Sequence, residues 1–416
     1  MPSRRKFMKH MVVGSAGLAA SRVLASSRVL GANDRVRFGL IGAGNRGQEI
    51  LQAAMRCANT EAVSVADVYA RRLDEVKEFA PRVKMFTDFR KLLEDSSLDA
   101  VLIATPQHQH ALNFVPSIQA GKDVYQEKTM AFNVEHAKRM RAAYVGSNRV
   151  VQIGIQSVST GAWQRAHELA RPELLGEITA IHAHMYRNAP YGGWNRPMPP
   201  DCTPERVDWK LFEGEATPRP FDADRVIHWR FYWEYSGGNV FENMVHQVGF
   251  WYKALNLQIP RSVTMNGGNY LSPKMQVPDT MDVAMDQPEN LLFTWNSGFY
   301  NLHNGLSEQV LGRKGTVARY QTNDESREVT FIPEGATPAA KPAEVAQKAD
   351  WTPDVVGGGD SSDVHMQNFI DCVRSRKEPN CPFEIGFRSA IAARMAVTSF
   401  RQGRKVCWDP ESEEIV

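Results

Sequence analysis

The sequence predicts an α/β protein in two parts, a doubly wound parallel sheet over residues 34–156 and an α+β domain with a largely antiparallel sheet over 157–416. Three observations lead there. A short apolar run, Val36–Ile41, breaks at Gly42 and gives way after Gly47 to a helical pattern carried by Ile50, Leu51 and Ala54. Strand-like apolar runs then alternate with helix-period segments as far as Ile155. From Ile178 the alternation stops, and β-type runs follow one another with Pro and Gly between them.

In chain order, 61–66 is the second strand, 98–104 a buried strand ending in Thr105-Pro106, and 123–126 a strand ending in Glu127-Lys128-Thr129. Helices over 111–120 and 134–145 separate these strands, and 150–155 closes the series. Runs 178–186, 262–270, 281–300 and 309–320 build the second sheet. Sheets of this kind often serve as faces between subunits, so a homo-oligomer is expected. Helical stretches at 363–374 and 387–400 are expected to pack back on the fold. Residues 335–359, rich in Ala, Pro, Lys and Gly, read as a surface loop.

The first turn carries chemistry. Phe38-Gly39-Leu40-Ile41-Gly42-Ala43-Gly44-Asn45-Arg46-Gly47, between a strand and a helix, has the spacing of a fingerprint for dinucleotide phosphates. Gly42 allows the tight turn, Gly44 lets the backbone approach a pyrophosphate, and Gly47 lets helix pack on strand, with the helix N-terminus facing the anion. Asp67 ends the second strand 20 residues past Gly47. A carboxylate there accepts hydrogen bonds from ribose hydroxyls and repels a 2′-phosphate. NAD is therefore favoured over NADP, although Arg71 and Arg72 keep NADP open. Ligands of such sheets lie beyond the carboxyl ends of the strands, where Gly42, Asp67, Thr105 and Lys128 all fall.

Residues 1–33 read as a leader. Arg4 and Arg5, followed by Lys6, Phe7, Met8 and Lys9 and then a short apolar stretch at 11–20, match a twin-arginine signal, and no acid precedes Asp34. Export by the twin-arginine machinery, cleavage between Ala25 and Asn33, and a periplasmic or otherwise exported location are expected. The apolar stretch is shorter than the roughly 20 residues a bilayer requires, so no stable membrane insertion is expected after cleavage. Six of the 49 basic residues and none of the 47 acids lie in 1–33, leaving 43 against 47 and a formal charge of −4. That balance gives no reason to expect a nucleic-acid partner. The five cysteines are widely spaced and odd in number, which indicates neither a disulfide framework nor a metal site. An exported protein meets no free nicotinamide pool, so its dinucleotide must travel out already bound.

In the second part, the aromatic segment Trp229-Arg230-Phe231-Tyr232-Trp233-Glu234-Tyr235 precedes Ser236-Gly237-Gly238 and a helical pattern through Val240, Phe241, Met244, Val245, Val248 and Trp251. Glu242 and His246 then stand one turn apart on one face. Spacing alone leaves two readings. The pair shares a proton and a substrate hydroxyl, or Asn239 and Glu242 form a capping box beside a core histidine.

Together the fingerprint, Ala104-Thr105-Pro106 with His110, Glu127-Lys128, Gly154, Leu175-Gly176-Glu177-Ile178, the run from Gly237 to His246, and Leu311-Gly312-Arg313-Lys314-Gly315-Thr316 resemble the glucose-fructose oxidoreductase and inositol dehydrogenase family (Gfo/Idh/MocA). The resemblance implies that Gly42, Ala43, Gly44, Asn45, Arg46, Gly47, Asp67, Thr105, Pro106, His110 and Glu127 lie on the cofactor side. It also implies that Lys128, Glu242 and His246 line a sugar site beside the nicotinamide. Three positions depart from the family pattern. Thr129 stands where the family has a proline that commonly follows a cis bond, Glu242 replaces an Asp, and Gly249 replaces an acid, which implies one polar substrate contact fewer.

The implied activity is oxidation of a carbohydrate or polyol hydroxyl by tightly held NAD. His246 would be the base, Lys128 would polarise the oxygen, and Glu242 would orient the imidazole or bind a neighbouring hydroxyl. Two alternatives stand beside it: an NAD-dependent glycosidase or lyase acting through a transient keto-sugar, and a non-catalytic sugar-binding derivative.

Overall fold

The computed structural model describes residues 35–188, 193–303, 305–321, 327–335 and 361–416. The leader at 1–33, and all but the first residue of the loop expected at 335–359, lie outside the described residues.

The first sheet is parallel and has six strands: β1 (Val36–Ile41), β2 (Thr60–Ala66), β3 (Lys84–Phe86), β4 (Ala100–Ile103), β5 (Asp123–Gln126) and β6 (Val151–Ile153). Their order is β3-β2-β1-β4-β5-β6, so the winding reverses at β1, where ligands of such sheets bind. Helices α1 (Asn45–Arg56), α2 (Ala70–Phe79), α3 (His110–Gln119) and α4 (Val134–Tyr144) lie between strands. Every residue of β4 and β5 is buried, and β4 accordingly reads as an unbroken apolar run, whereas β5 carries Asp123 and Gln126 at its ends.

The second sheet comprises β7 (Ile178–Met185), β8 (Ser262–Gly268), β9 (Thr280–Gln287), β10 (Leu291–Gly298), β11 (Leu306–Gly312), β12 (Gly315–Gln321), β13 (Arg327–Pro333), β14 (Val406–Asp409) and β15 (Glu414–Ile415). Its order is β13-β12-β11-β7-β10-β9-β8-β14-β15, and only the β7–β10 pair is parallel. The run at 281–300 divides into a hairpin because Pro288 and the left-handed Asn290 (φ 61°) turn the chain. Along β10, Leu291, Phe293 and Trp295 point into the core while Leu292, Thr294 and Asn296 face outward.

Two short helices, α5 (Trp209–Glu213) and α6 (Ala223–Ile227), precede a π-helical turn at Val240–Met244, which runs directly into α7 (Val245–Leu255). Two longer helices follow, α8 (Ser361–Ser375) and α9 (Phe383–Gln402). One apolar core runs from Ile103, Val124 and Ile153 of the first sheet through Phe241 and Val245 to Phe293 and Trp295 of the second. The two sheets therefore share a continuous interior at the level of the π turn. Helix α8 returns to the first sheet, where Met366, Phe369 and Ile370 pack with Phe38, Leu40 and Leu51.

Replacing Phe369, which is fully buried, with Ala should cost about 3–5 kcal/mol. Urea unfolding is the check. A loss under about 1 kcal/mol would mean that α8 does not hold the first sheet.

Candidate functional site

The site grows from the turn after β1. Gly42 has φ +90°, and a Cβ there would meet the backbone of Ala104 and Thr105 at 2.7–2.9 Å. Only glycine fits this crossing of β1 against β4. A Cβ on Gly47 would lie 1.9 Å from the Gly42 carbonyl oxygen, so α1 packs on the turn without a side chain between them. A Cβ on Gly44 would meet nothing within 4 Å. It would project into a cavity that Gly42, Gly44, Asn45, Arg46, Thr105 and Pro106 help to line, at the N-terminus of α1.

Asp67 faces the same cavity from the end of β2. Its Oδ2 accepts from the Ala43 N–H at 2.6 Å and its Oδ1 from the Tyr69 N–H at 2.8 Å, which fixes the carboxylate in place. Burial raises its pKa, and those two backbone donors oppose the rise. Ala43 itself is buried under the turn and gives its N–H to Asp67. Arg71 is engaged by Glu75 and Asp201, whereas Arg72 lines the cavity and pairs with Glu75.

A strap from the second domain bonds to the turn that follows Asp67. Asp208 donates its N–H to the Val68 carbonyl at 2.8 Å, and Ala70 donates to the Arg206 carbonyl at 2.9 Å. Tyr69 and Arg71 both bond to Asp201. Further along, Gln109 donates to the carbonyls of Leu211 and Phe212 at 2.8 and 2.6 Å. Tyr69, Val207, Phe212, Val226 and Tyr235 form an apolar cluster under this strap.

A second cavity adjoins the first and shares Arg46, Thr105, Trp229 and Arg230 with it. Lys128, Glu242 and His246 all line it. The Lys128 ammonium donates to Glu242 Oε2 at 2.9 Å and to the Glu242 carbonyl at 3.0 Å. Gln107 Nε2 donates to Glu242 Oε1 at 2.6 Å, and Arg230 Nε lies 3.2 Å from the same oxygen. Burial pushes the Glu242 carboxyl up, but Arg230 and Lys128 outweigh it and hold the group down at about 2. Glu242 is therefore bound directly to the lysine. Glu127, also in this cavity, accepts from Arg46 Nε at 2.8 Å. A Cβ on Gly154 would lie 2.8 Å from the Glu127 carboxylate, so that glycine makes room for it.

One expectation changes, and two open points are settled. His110 does not line either cavity: it is fully buried, with Nδ1 2.7 Å from the Thr129 carbonyl and Nε2 2.9 Å from the Thr105 carbonyl. Burial lowers its pKa while the two carbonyls oppose this, and the ring braces the Lys128 turn from behind. The Lys128-Thr129 bond is cis, and Thr129 Oγ1 donates to the Phe241 carbonyl at 2.5 Å. The capping box is not formed, because Asn239 is already helical (φ −65°, ψ −32°) and its amide donates to Ser297 Oγ. Gly249 packs on Ile155, whose Cδ1 lies 2.5 Å from where a Cβ would be, and does not line the cavity.

With this geometry established, likeness to known proteins is decisive. Residues 36–155 match the NAD-binding Rossmann fold of the Gfo/Idh/MocA oxidoreductase family, and residues 210–408 match its C-terminal α/β domain. The chain belongs to the Gfo/Idh/MocA family of oxidoreductases. An inositol 2-dehydrogenase/D-chiro-inositol 3-dehydrogenase of Shouchella clausii is 27% identical over 158 residues, 36% of this chain and 45% of that relative. A glycosyl hydrolase family 109 protein of Stenotrophomonas maltophilia is 32% identical over 129 residues, 28% of each chain. The chain thus spans less than half the length of these curated relatives. The WlbA dehydrogenase of Bordetella pertussis, solved with NADH and UDP-GlcNAcA, shares the fold with a TM-score of 0.68 at 20% identity, over 90% of this chain and 99% of that one.

Within this family framework, Gln107, Arg187, Arg230 and Asn243 are cavity residues that motif spacing did not single out. Arg230 stands inside the aromatic segment, over the Trp229 ring at 4.1 Å.

Glu242 has a folded-state pKa of about 2, below the ordinary carboxylate value, so the stability it contributes is complete above about pH 5 and is lost as pH falls toward 2. Glu242→Gln should lower stability at neutral pH by about 3 kcal/mol, by leaving Lys128 and Arg230 unpaired. It should also flatten the loss between pH 5 and 2. Parallel acid-dependent urea titrations of the two proteins would reveal this, and superimposable curves would refute it.

Proposed function

We propose that the protein is an NAD-dependent oxidoreductase that acts on a hydroxyl of a carbohydrate or polyol while keeping its dinucleotide bound. The observation that carries this reading is the Lys128 ammonium, fixed by Glu242 in the cavity that also holds His246 and adjoins the glycine cradle. The cradle fits the cofactor: the Gly44 position is open for a pyrophosphate, α1 aims its N-terminus there, and Asp67 lines the same cavity from the end of β2. A bound nicotinamide supplies the acceptor for the electron pair of the substrate C–H bond.

Two of the three Lys128 N–H donors go to Glu242. The third remains for the substrate oxygen and stabilises it as hydroxyl becomes carbonyl. A His246 ring nitrogen takes the hydroxyl proton, so the C–H and O–H bonds break, the C=O bond forms and one proton is released. Asp67 supports NAD over NADP, because a 2′-phosphate would meet a fixed carboxylate. The strap from Asp201 to Phe212 supports retention, since its hydrogen bonds hold it to the Val68–Ala70 turn beside the cavity. Retention in turn suits export through the leader at 1–33 to a compartment outside the cytoplasm.

Mass spectrometry of the denatured, freshly purified protein should find close to one NAD per chain. Lys128→Met should keep that NAD while single-turnover reduction by a polyol or sugar falls about 100- to 10,000-fold. Protein purified without dinucleotide, or a variant with undiminished turnover, would overturn the reading.

A further inference from the structure

The cavity that holds Lys128 carries a cation that no carboxylate balances. Besides His246, its ionisable lining consists of Arg46, Lys128, Arg187 and Arg230 against Glu49, Glu127 and Glu242. Arg46 is paired with Glu127 and Glu49, and Lys128 and Arg230 share Glu242. Among the described residues no carboxylate lies within 4.0 Å of Arg187, and its side chain bonds only to the neutral Asn243 amide oxygen, at 2.7 Å. Burial lowers the Arg187 pKa, and only the more distant Glu242 opposes the effect.

That arrangement is held in place. Asn243 donates to Asn239, Asn239 Nδ2 donates to Ser297 Oγ at 2.7 Å, and Ser297 donates to the Met185 carbonyl at 2.5 Å. The Arg187 backbone N–H is tied to Gly298 at 3.0 Å. Asn243 and Glu242 are neighbours on one π turn, so Arg187 and Lys128 are presented to the cavity by the same element. Withdrawing a guanidinium from water without a counter-charge is unfavourable, and a site for purely neutral sugars could bind hydroxyls with an amide instead. The guanidinium fork matches a carboxylate in shape, and one unpaired charge matches a monoanion. A phosphate monoester, carrying about −1.5 to −2, would overbalance it beside Glu242.

We propose that the substrate is a sugar acid, whose carboxylate pairs with Arg187 while a ring hydroxyl meets Lys128 and His246. This rests on the oxidoreductase reading above. The test uses the full chain with its bound dinucleotide, offered hexuronic acids, the matching hexoses and the hexose 6-phosphates, with reduction of the nicotinamide followed by absorbance. Hexuronates should exceed hexoses by about 50-fold or more in the single-turnover reduction rate divided by Kd, chiefly through Kd, as a charge-assisted bond that hexoses lack implies. Arg187→Met should collapse that ratio and Arg187→Lys restore part of it, with equal dinucleotide content in each variant verifying the fold. Hexoses or hexose phosphates turning over as well as hexuronates, or a ratio unchanged in Arg187→Met, would overturn the sugar-acid assignment alone. Silence with every sugar would overturn the oxidoreductase reading and this inference with it.

Discussion

The carboxylate of Glu242 is the joint on which the rest of the site depends. It lies on the second domain, yet it fixes Lys128 and Gln107 of the first, and it balances Arg230 from the aromatic segment. A buried acid is unfavourable alone, and two cations placed together repel; each condition is tolerated only because the other is present. The consequence is geometric. The ammonium cannot swing into solvent, so the cavity keeps a positive donor where an oxygen gains charge.

Everything around this joint positions it. The continuous apolar core beneath the π turn makes Val240–Met244 a fixed platform, and the platform presents Glu242 and Asn243 in succession. From the other side, the His110 ring sits between the carbonyls of Thr105 and Thr129, and its single N–H bonds to one of them. The strap over Asp67 and the cradle over Gly44 belong to a separate problem, holding a long polar cofactor. The two solutions meet at Thr105, Arg46 and Trp229.

Most of the fold was legible in the sequence, because parallel strands buried on both faces leave unbroken apolar runs and the glycine turn has a fixed spacing. β3 was not, since three partly exposed residues have no period to read. The Lys128, Glu242 and His246 set was legible only through family resemblance. Two partners of Glu242, Gln107 and Arg230, come from distant segments that no local pattern connects. His110 was misassigned because a motif position says nothing about which way a ring faces, and here both nitrogens find backbone carbonyls. The packing of Gly249 on Ile155 is a contact invisible without the fold.

The central claim is that Glu242 acts through Lys128 rather than independently, and a double-mutant cycle tests it most directly. Single-turnover rates would be measured for the wild type, Lys128→Met, Glu242→Gln and the double variant, each with its dinucleotide content verified. If the account holds, the double variant is no slower than Lys128→Met, because the second substitution removes a partner already without a function. Losses that multiply would contradict it and give Glu242 a role of its own.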